Sequence, residues 1–206
     1  MNSLYNKKET NIPLVVDLDG TLLKSDTLVE SGLLFFMDKP LQIVNLLRWI
    51  TGGKLNLKIK LAEAVDLNVS TLPYNTTIIE KIILERSKGR KIILATGCYK
   101  SLAIKIADHL KIFDEVIASE AEQNVIGEKK CKILVKRYGE KGFDYIGNSK
   151  DDLVVWEQAN KAFGVDVSKT TQRKSKLYSV NKNFAFSIFV FLRPRFEPIP
   201  KKTILA

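Results

Sequence analysis

Two aspartates, two residues apart, close an apolar run near the start of the chain: Pro13-Leu14-Val15-Val16-Asp17-Leu18-Asp19-Gly20-Thr21. A carboxylate pair at the C-terminal end of a strand lies where an open α/β sheet keeps its ligand crevice. Such a pair suits phosphoryl chemistry. Asp17 can attack phosphorus as a carboxylate nucleophile to give an aspartyl-phosphate, and Asp19 can protonate the leaving oxygen and then activate water. Three later segments extend the set. Ile93-Leu94-Ala95-Thr96-Gly97 ends a second apolar run in a hydroxyl and a glycine, so Thr96 and the backbone amides near Gly97 can bind phosphate oxygens. Lys130 offers a compact cation to the phosphoryl group and to Asp17. Gly147-Asn148-Ser149-Lys150-Asp151-Asp152 follows a third run, Phe143-Asp144-Tyr145-Ile146, with oxygen donors suited to a hard cation such as Mg²⁺. Each segment alone is common, since an Asp-x-Asp after a strand is often a solvated strand end or a helix cap; the four together in this order describe one phosphate-handling site.

The four segments resemble the motifs of the haloacid dehalogenase (HAD) superfamily of aspartate-nucleophile phosphatases. Leu72-Pro73-Tyr74-Asn75, residues 113–119, residues 142–149 and residues 152–156 extend the likeness to the phosphatase-like N-terminal domain found fused to UbiA-type prenyltransferases, over about residues 10–168. The resemblance implies an α/β fold, a doubly wound parallel sheet with a small helical cap inserted at about 23–72. It implies Asp17 as nucleophile, Asp19 as acid and base, and Thr96, Gly97 and Lys130 around the substrate phosphate. It also implies Mg²⁺ held by the Asp17 carboxylate, the Asp19 backbone carbonyl and the fourth motif, Asn148 with Asp152. One position departs from the pattern: the fourth motif usually begins Gly-Asp, and Asn148 brings an amide oxygen without the charge. If Asn148 only weakens the metal site, activity needs more Mg²⁺; if it disables the site, the domain binds phosphorylated ligands without turning them over.

Short apolar runs alternate with helical patterns along the chain, the rhythm of parallel βαβ units. Strands are expected near 13–18, 91–96, 115–118, 143–147 and 164–167. Helices are expected from Asn75 or Thr76 to near Gly89, over 100–110, and from about Lys150 to Phe163. In that last helix Asp151 and Asp152 would occupy the first turn, where a carboxylate suits the helix dipole as well as a metal. Residues 23–72 read as two or three helices broken at Asp38-Lys39-Pro40 and Thr51-Gly52-Gly53. This insertion is unusually apolar between Leu33 and Ile50. Two accounts follow: small cap helices bury these residues against one another, or they form a surface that meets a membrane, a lipid substrate or a membrane-embedded partner.

The 206 residues, 45% of them hydrophobic, suit one core domain with an insertion and a tail. Two cysteines, Cys98 and Cys131, and no secretory signal point to a reducing cytosol, and a disulfide between them stays open at this stage. The single histidine, His109, falls at a helix end and reads as a surface residue. From Val167 to Phe196 no acidic residue interrupts Lys169, Arg173, Lys174, Lys176, Lys182, Arg193 and Arg195, which accounts for much of the net charge of +10. This tail, 169–206, contains an apolar run from Phe184 to Leu192 that is too short to span a bilayer, which takes about 20 residues. Attraction to the anionic cytoplasmic face of a membrane fits it better than nucleic acid, because the basic residues follow no recognisable reader fold. No Asn-Asp-x-x-Asp motif for prenyl diphosphate occurs, and Gly52-Gly53-Lys54 lacks the rest of a nucleotide loop. The expected activity is Mg²⁺-dependent hydrolysis of a phosphomonoester on a small molecule or a lipid-linked phosphate. The competing expectation is a weakly catalytic regulatory domain beside a membrane prenyltransferase.

Overall fold

A computed structural model of the chain describes residues 12–168, residue 171 and residues 178–179; the calls on the basic tail, 169–206, otherwise lie outside the described residues. Six parallel strands form one sheet: β1 (Leu14–Val16), β2 (Ile92–Tyr99), β3 (Glu115–Ser119), β4 (Asp144–Gly147), β5 (Ala162–Gly164) and β6 (Tyr178–Ser179). Their order is β3-β2-β1-β4-β5-β6. Leu14 is in register with Ile92 on one side and Asp144 on the other, so the winding reverses at β1. A crevice therefore opens at the C-terminal end of β1, where neighbouring connections depart in opposite directions.

The doubly wound parallel fold follows from strands that are apolar on both faces. Leu14, Val16, Ile92 and Leu94 pack on one side with Ile78 and Ile82 of α4 (Thr76–Ser87) and Leu102, Ala103 and Ile106 of α5 (Lys100–Leu110). Their neighbours Val15, Ile93, Ala95 and Tyr145 face the other side, against Leu134 of α6 (Gly127–Tyr138) and Val155 and Trp156 of α7 (Leu153–Gln158). Continuous apolar runs covered by helices on both faces are the signature of a parallel sheet.

Two elements differ from the sequence reading. The helix expected over 150–163 is a 3-10 turn, Lys150–Asp152, followed by α7, which stops at Gln158. Asp144 ends it: its Oδ1 accepts from Asn160 Nδ2 at 2.8 Å and from Lys161 N at 2.9 Å. Those bonds draw residues 160–161 back to the start of β4, and β5 begins at Ala162, two residues before the expected strand. β2 also continues past Thr96 to Tyr99, with its pairing to β3 interrupted between those two residues.

The insertion contains α1 (Thr27–Asp38), α2 (Ile43–Thr51) and α3 (Gly53–Ala64), with 3-10 turns at Pro40–Gln42 and Val69–Thr71. Its two ends are pinned together. Leu23 bridges Tyr74 in antiparallel fashion, Asn75 N donates to Leu22 O at 2.8 Å, and Lys24 N donates to Pro73 O at 2.9 Å. The expectation that these helices bury their apolar residues against one another holds for few of them. Phe35 and Leu61 are buried, and Phe35 lies 5.1 Å from the Trp49 ring, but α2 contains no buried residue.

The opposite end of the sheet is braced by charge. Buried Arg90 donates through Nη2 to Asp144 Oδ2 at 2.5 Å, through Nη1 to Glu85 at 3.0 Å and through Nε to Ile12 O at 2.6 Å. Truncating one partner of such a cluster strands the other charge without solvent. Arg90→Met is expected to lower unfolding free energy by about 3–5 kcal/mol in urea titration.

Candidate active site

The end of β1 is set by backbone pairing: Asp17 N donates to Ile146 O at 2.9 Å, which leaves the Asp17 carboxylate at the C-terminal edge of the sheet. The chain then turns at Gly20, whose φ is +72° and where a Cβ would run into the side-chain amide of Asn148. Glycine takes this left-handed backbone without strain and leaves the Asn148 amide its place. The Asp19 carboxylate accepts from Thr27 N at 2.7 Å, at the first residue of α1, where unpaired helix amides favour an anion. The second aspartate is thereby tied to the start of the insertion.

Asp17 sits in a buried ionic cluster. Lys130, on α6, donates through Nζ to Asp17 Oδ1 at 2.7 Å and to the Tyr145 hydroxyl at 2.8 Å, and lies 3.5 Å from Asp152 Oδ1. The Tyr145 hydroxyl donates onward to Asp152 Oδ1 at 2.6 Å. Asp152 Oδ2 accepts from Asn148 N at 3.1 Å, Ser149 N at 3.0 Å and Ser149 Oγ at 3.1 Å. Gly147 makes this approach possible, since a Cβ there would lie 2.7 Å from Asp152 Oδ2.

Burial pushes the Asp17 carboxyl from 3.8 up to about 7; Lys130 opposes the rise and Asp152 adds to it. Burial also works to raise Asp152, but Lys130, Tyr145 and the two amides outweigh it and hold that carboxyl below the ordinary range. Lys130 is held above the ordinary lysine value: burial disfavours its charge, and Asp17 and Asp152 overcome that. Asp19 is raised by burial and by nearby Asp26, which suits a group that must carry a proton before giving it away.

Thr96 is fully buried, and its Oγ1 accepts from Cys98 N at 2.9 Å, leaving the hydroxyl proton to donate elsewhere. Gly97 has Ile126 on one side and offers its carbonyl to Lys58 Nζ at 2.6 Å. Lys58 belongs to α3, so the insertion delivers an ammonium to the second motif. Burial lowers the Lys58 amine from its usual value, and Asp19 partly restores it. Cys98 and Cys131 are both free thiols, and burial pushes Cys98 up to about 12.

The donor set bears on the expected Mg²⁺. The Asp17 oxygen not bonded to Lys130, the Asp19 backbone carbonyl and the Asn148 amide oxygen are hard donors of the kind Mg²⁺ takes. Asp152, the remaining member of the expected set, has two oxygens that meet five protein donors in this arrangement. Its geometry makes it the group that orients Lys130 and Tyr145. Among the described residues no three histidine, cysteine or acidic side chains converge as a metal cage. Asp151 is exposed and enters none of these bonds.

Lys58 and Tyr145 were not singled out from the sequence. Tyr145 looks like one more large residue in an apolar run, and Lys58 is one of three lysines in α3, Lys54, Lys58 and Lys60. Only the tertiary contact marks either of them.

No family model matches the chain. The uncharacterized protein y4nM of Sinorhizobium fredii (strain NBRC 101917 / NGR234) is 35% identical over 154 residues, covering 75% of this chain. The chain spans about 30% of the length of that curated relative. In structure it is similar to the HAD family hydrolase t0658 of Salmonella enterica serovar Typhi (TM-score 0.59, 14% identity, 81% of this chain and 68% of that one). It is also similar to a phospho-aspartyl intermediate analogue of phosphoserine phosphatase (TM-score 0.58, 13% identity, 89% and 100%). A third likeness is to a predicted phosphoglycolate phosphatase from Haemophilus somnus 129pt (TM-score 0.59, 15% identity, 87% and 98%). The chain has the fold that these HAD-family hydrolases share.

The folded chain holds the Asp17 proton more tightly than the unfolded chain does. The stability this contributes is present below pH 4 and is lost as pH rises through about 7. In EDTA, melting temperature is expected to fall over that window, and Asp17→Asn to flatten the slope.

Proposed function

We propose that this chain is a phosphatase that hydrolyses a phosphomonoester through an aspartyl-phosphate on Asp17. The observation that carries the reading is the Lys130 ammonium 2.7 Å from Asp17 Oδ1, at the C-terminal end of the central strand of a fold shared with known phosphatases. Asp17 attacks phosphorus while the bond to the leaving oxygen breaks, and Asp19 gives that oxygen its proton. Asp19 then takes a proton from the water that attacks the aspartyl-phosphate, freeing inorganic phosphate and the Asp17 carboxylate. Lys130 balances negative charge on the phosphoryl oxygens, and the Thr96 hydroxyl and the Gly97 backbone complete the phosphate cradle. Asp17, the Asp19 carbonyl and Asn148 are the residues that would hold Mg²⁺, whose charge when bound would favour loss of the Asp17 proton and offset the phosphoryl charge.

Asn148 is the specific feature that favours a second reading, a binding or regulatory domain with little catalysis that works beside a UbiA-type membrane prenyltransferase. Hydrolysis of an aryl phosphate against Mg²⁺ concentration separates the two. The parent is expected to turn over, Asp17→Asn to lose roughly a thousandfold or more, and Asn148→Asp to reach half-maximal rate at lower Mg²⁺. A silent parent rescued by Asn148→Asp would give the second reading; silence in all three would end the first.

For the substrate we favour a phosphorylated isoprenoid or prenyl-linked sugar. Support comes from the apolar insertion, which reaches the second motif through Lys58, and from the resemblance to prenyltransferase-fused domains. Turnover of a polyprenyl phosphate is expected to exceed that of small sugar phosphates at equal concentration, and a preference for the soluble compounds would remove this assignment.

A further inference from the structure

The tip of the insertion leaves a concentrated set of large apolar side chains without cover. Leu41 is 96% exposed, Met37 76%, Val44 69% and Leu47 61%, and Leu33 and Phe36 are each more than half exposed. They occupy the second half of α1, the following 3-10 turn and α2. Isolated exposed leucines are ordinary, but a run of this kind on one protruding element marks an interaction surface.

Charge identifies the occupant. No acidic residue occurs from Lys39 to Ala62, while Lys39, Arg48, Lys54, Lys58 and Lys60 are basic. Lys58 turns inward to Gly97 O, Lys39 donates to Ala64 O, and Lys60 pairs with Glu63. Arg48 on α2, one residue after Leu47, and Lys54 at the start of α3 stand exposed. An apolar tip edged by cations complements a surface with a hydrocarbon interior and anionic headgroups. A second copy of the chain, with its net charge of +10, would oppose the same charge with its own. At nine residues α2 is far short of a span, and among the described residues no helix is long and apolar enough to cross a membrane.

We propose that the tip of the insertion, residues 33–50, docks onto an anionic lipid bilayer, with Leu41, Val44 and Leu47 entering the acyl boundary and Arg48 and Lys54 meeting the headgroups. The inference stands apart from catalysis at Asp17, and its test reads lipid rather than turnover. Docking would bring the insertion, which closes over the second motif through Lys58, against the membrane plane. The site would then face molecules held in that membrane.

The full chain is mixed with vesicles of phosphatidylcholine, with and without phosphatidylglycerol, and floated on a density gradient. Flotation is expected with the anionic vesicles and expected to weaken with salt. The Leu41→Glu/Val44→Glu/Leu47→Glu variant changes only exposed positions, so its circular dichroism and melting should match the parent while its partitioning falls by roughly tenfold or more. A second readout uses Trp49 as sole tryptophan in Trp156→Phe, a change that removes no hydrogen bond because Trp156 Nε1 has no partner. Brominated phospholipid is expected to quench Trp49. A triple variant that floats as well as the parent would overturn the proposal and move lipid binding to another part of the chain. A parent that fails to float would also overturn it, leaving an acidic protein as the partner to seek. Neither result touches the aryl phosphate assay, which reports on Asp17 separately.

Discussion

One buried ammonium holds the site together. Lys130 reaches Asp17 and Tyr145 directly and Asp152 at longer range, so it joins α6 to the ends of β1 and β4 and to the loop after β4. Removing three charged groups from water is expensive, and the cost is offset only where every donor and acceptor finds a partner. Here Tyr145 fills the gap between the ammonium and Asp152, and the amides of Asn148 and Ser149 take the remaining carboxylate oxygen. The loop is shaped by this requirement: Gly147 lets Asp152 close in, and Gly20 lets Asn148 lie across the turn after Asp17. A change to any member would disturb the others before it altered any contact with a ligand.

The two ends of the sheet use charge differently. At the N-terminal end, Arg90, Asp144 and Glu85 brace β4 and the approach to β2, and Asp144 also sets where α7 gives way to β5. Among the described residues, that end carries no candidate chemistry. At the C-terminal end the charges are unequal by design of their surroundings: Asp152 is surrounded by donors and stays ionised, while Asp17, with fewer partners, holds its proton more readily. Two carboxylates on one lysine thus meet different surroundings, one closed in by donors and the other left with an oxygen not bonded to that lysine.

Local spacing made much of this legible. Strands covered on both faces appear as unbroken apolar runs, and Asp17, Asp19 and Thr96 stand where those runs end. Chain turns at Pro40 and at Gly52-Gly53 divide the insertion where those residue types interrupt a helix. What escaped depends on distant contacts. The end of α7 is decided by Asp144, sixteen residues before Asn160. Lys58 gains meaning only through Gly97, thirty-nine residues later. Asp152 reads in the sequence as one more oxygen donor of the fourth motif, and only the positions of Tyr145 and Lys130 show which partners its carboxylate meets. Hydrophobic content likewise marks the insertion as apolar without showing which of its residues another element will cover.

The placement of β1 also governs the order in which the molecule can be made. The strand is at the centre of the sheet, yet its partners begin at Ile92 and Asp144, and the Asp17–Lys130 contact closes a separation of 113 residues. Contacts this remote raise contact order and slow folding, because loop entropy is spent before the pairing repays it. During synthesis, the apolar edges of Leu14, Val15 and Val16 emerge early and wait for most of the core to follow. For that interval the centre of the future sheet is an unpaired hydrophobic strand, the kind of segment that chaperones shield.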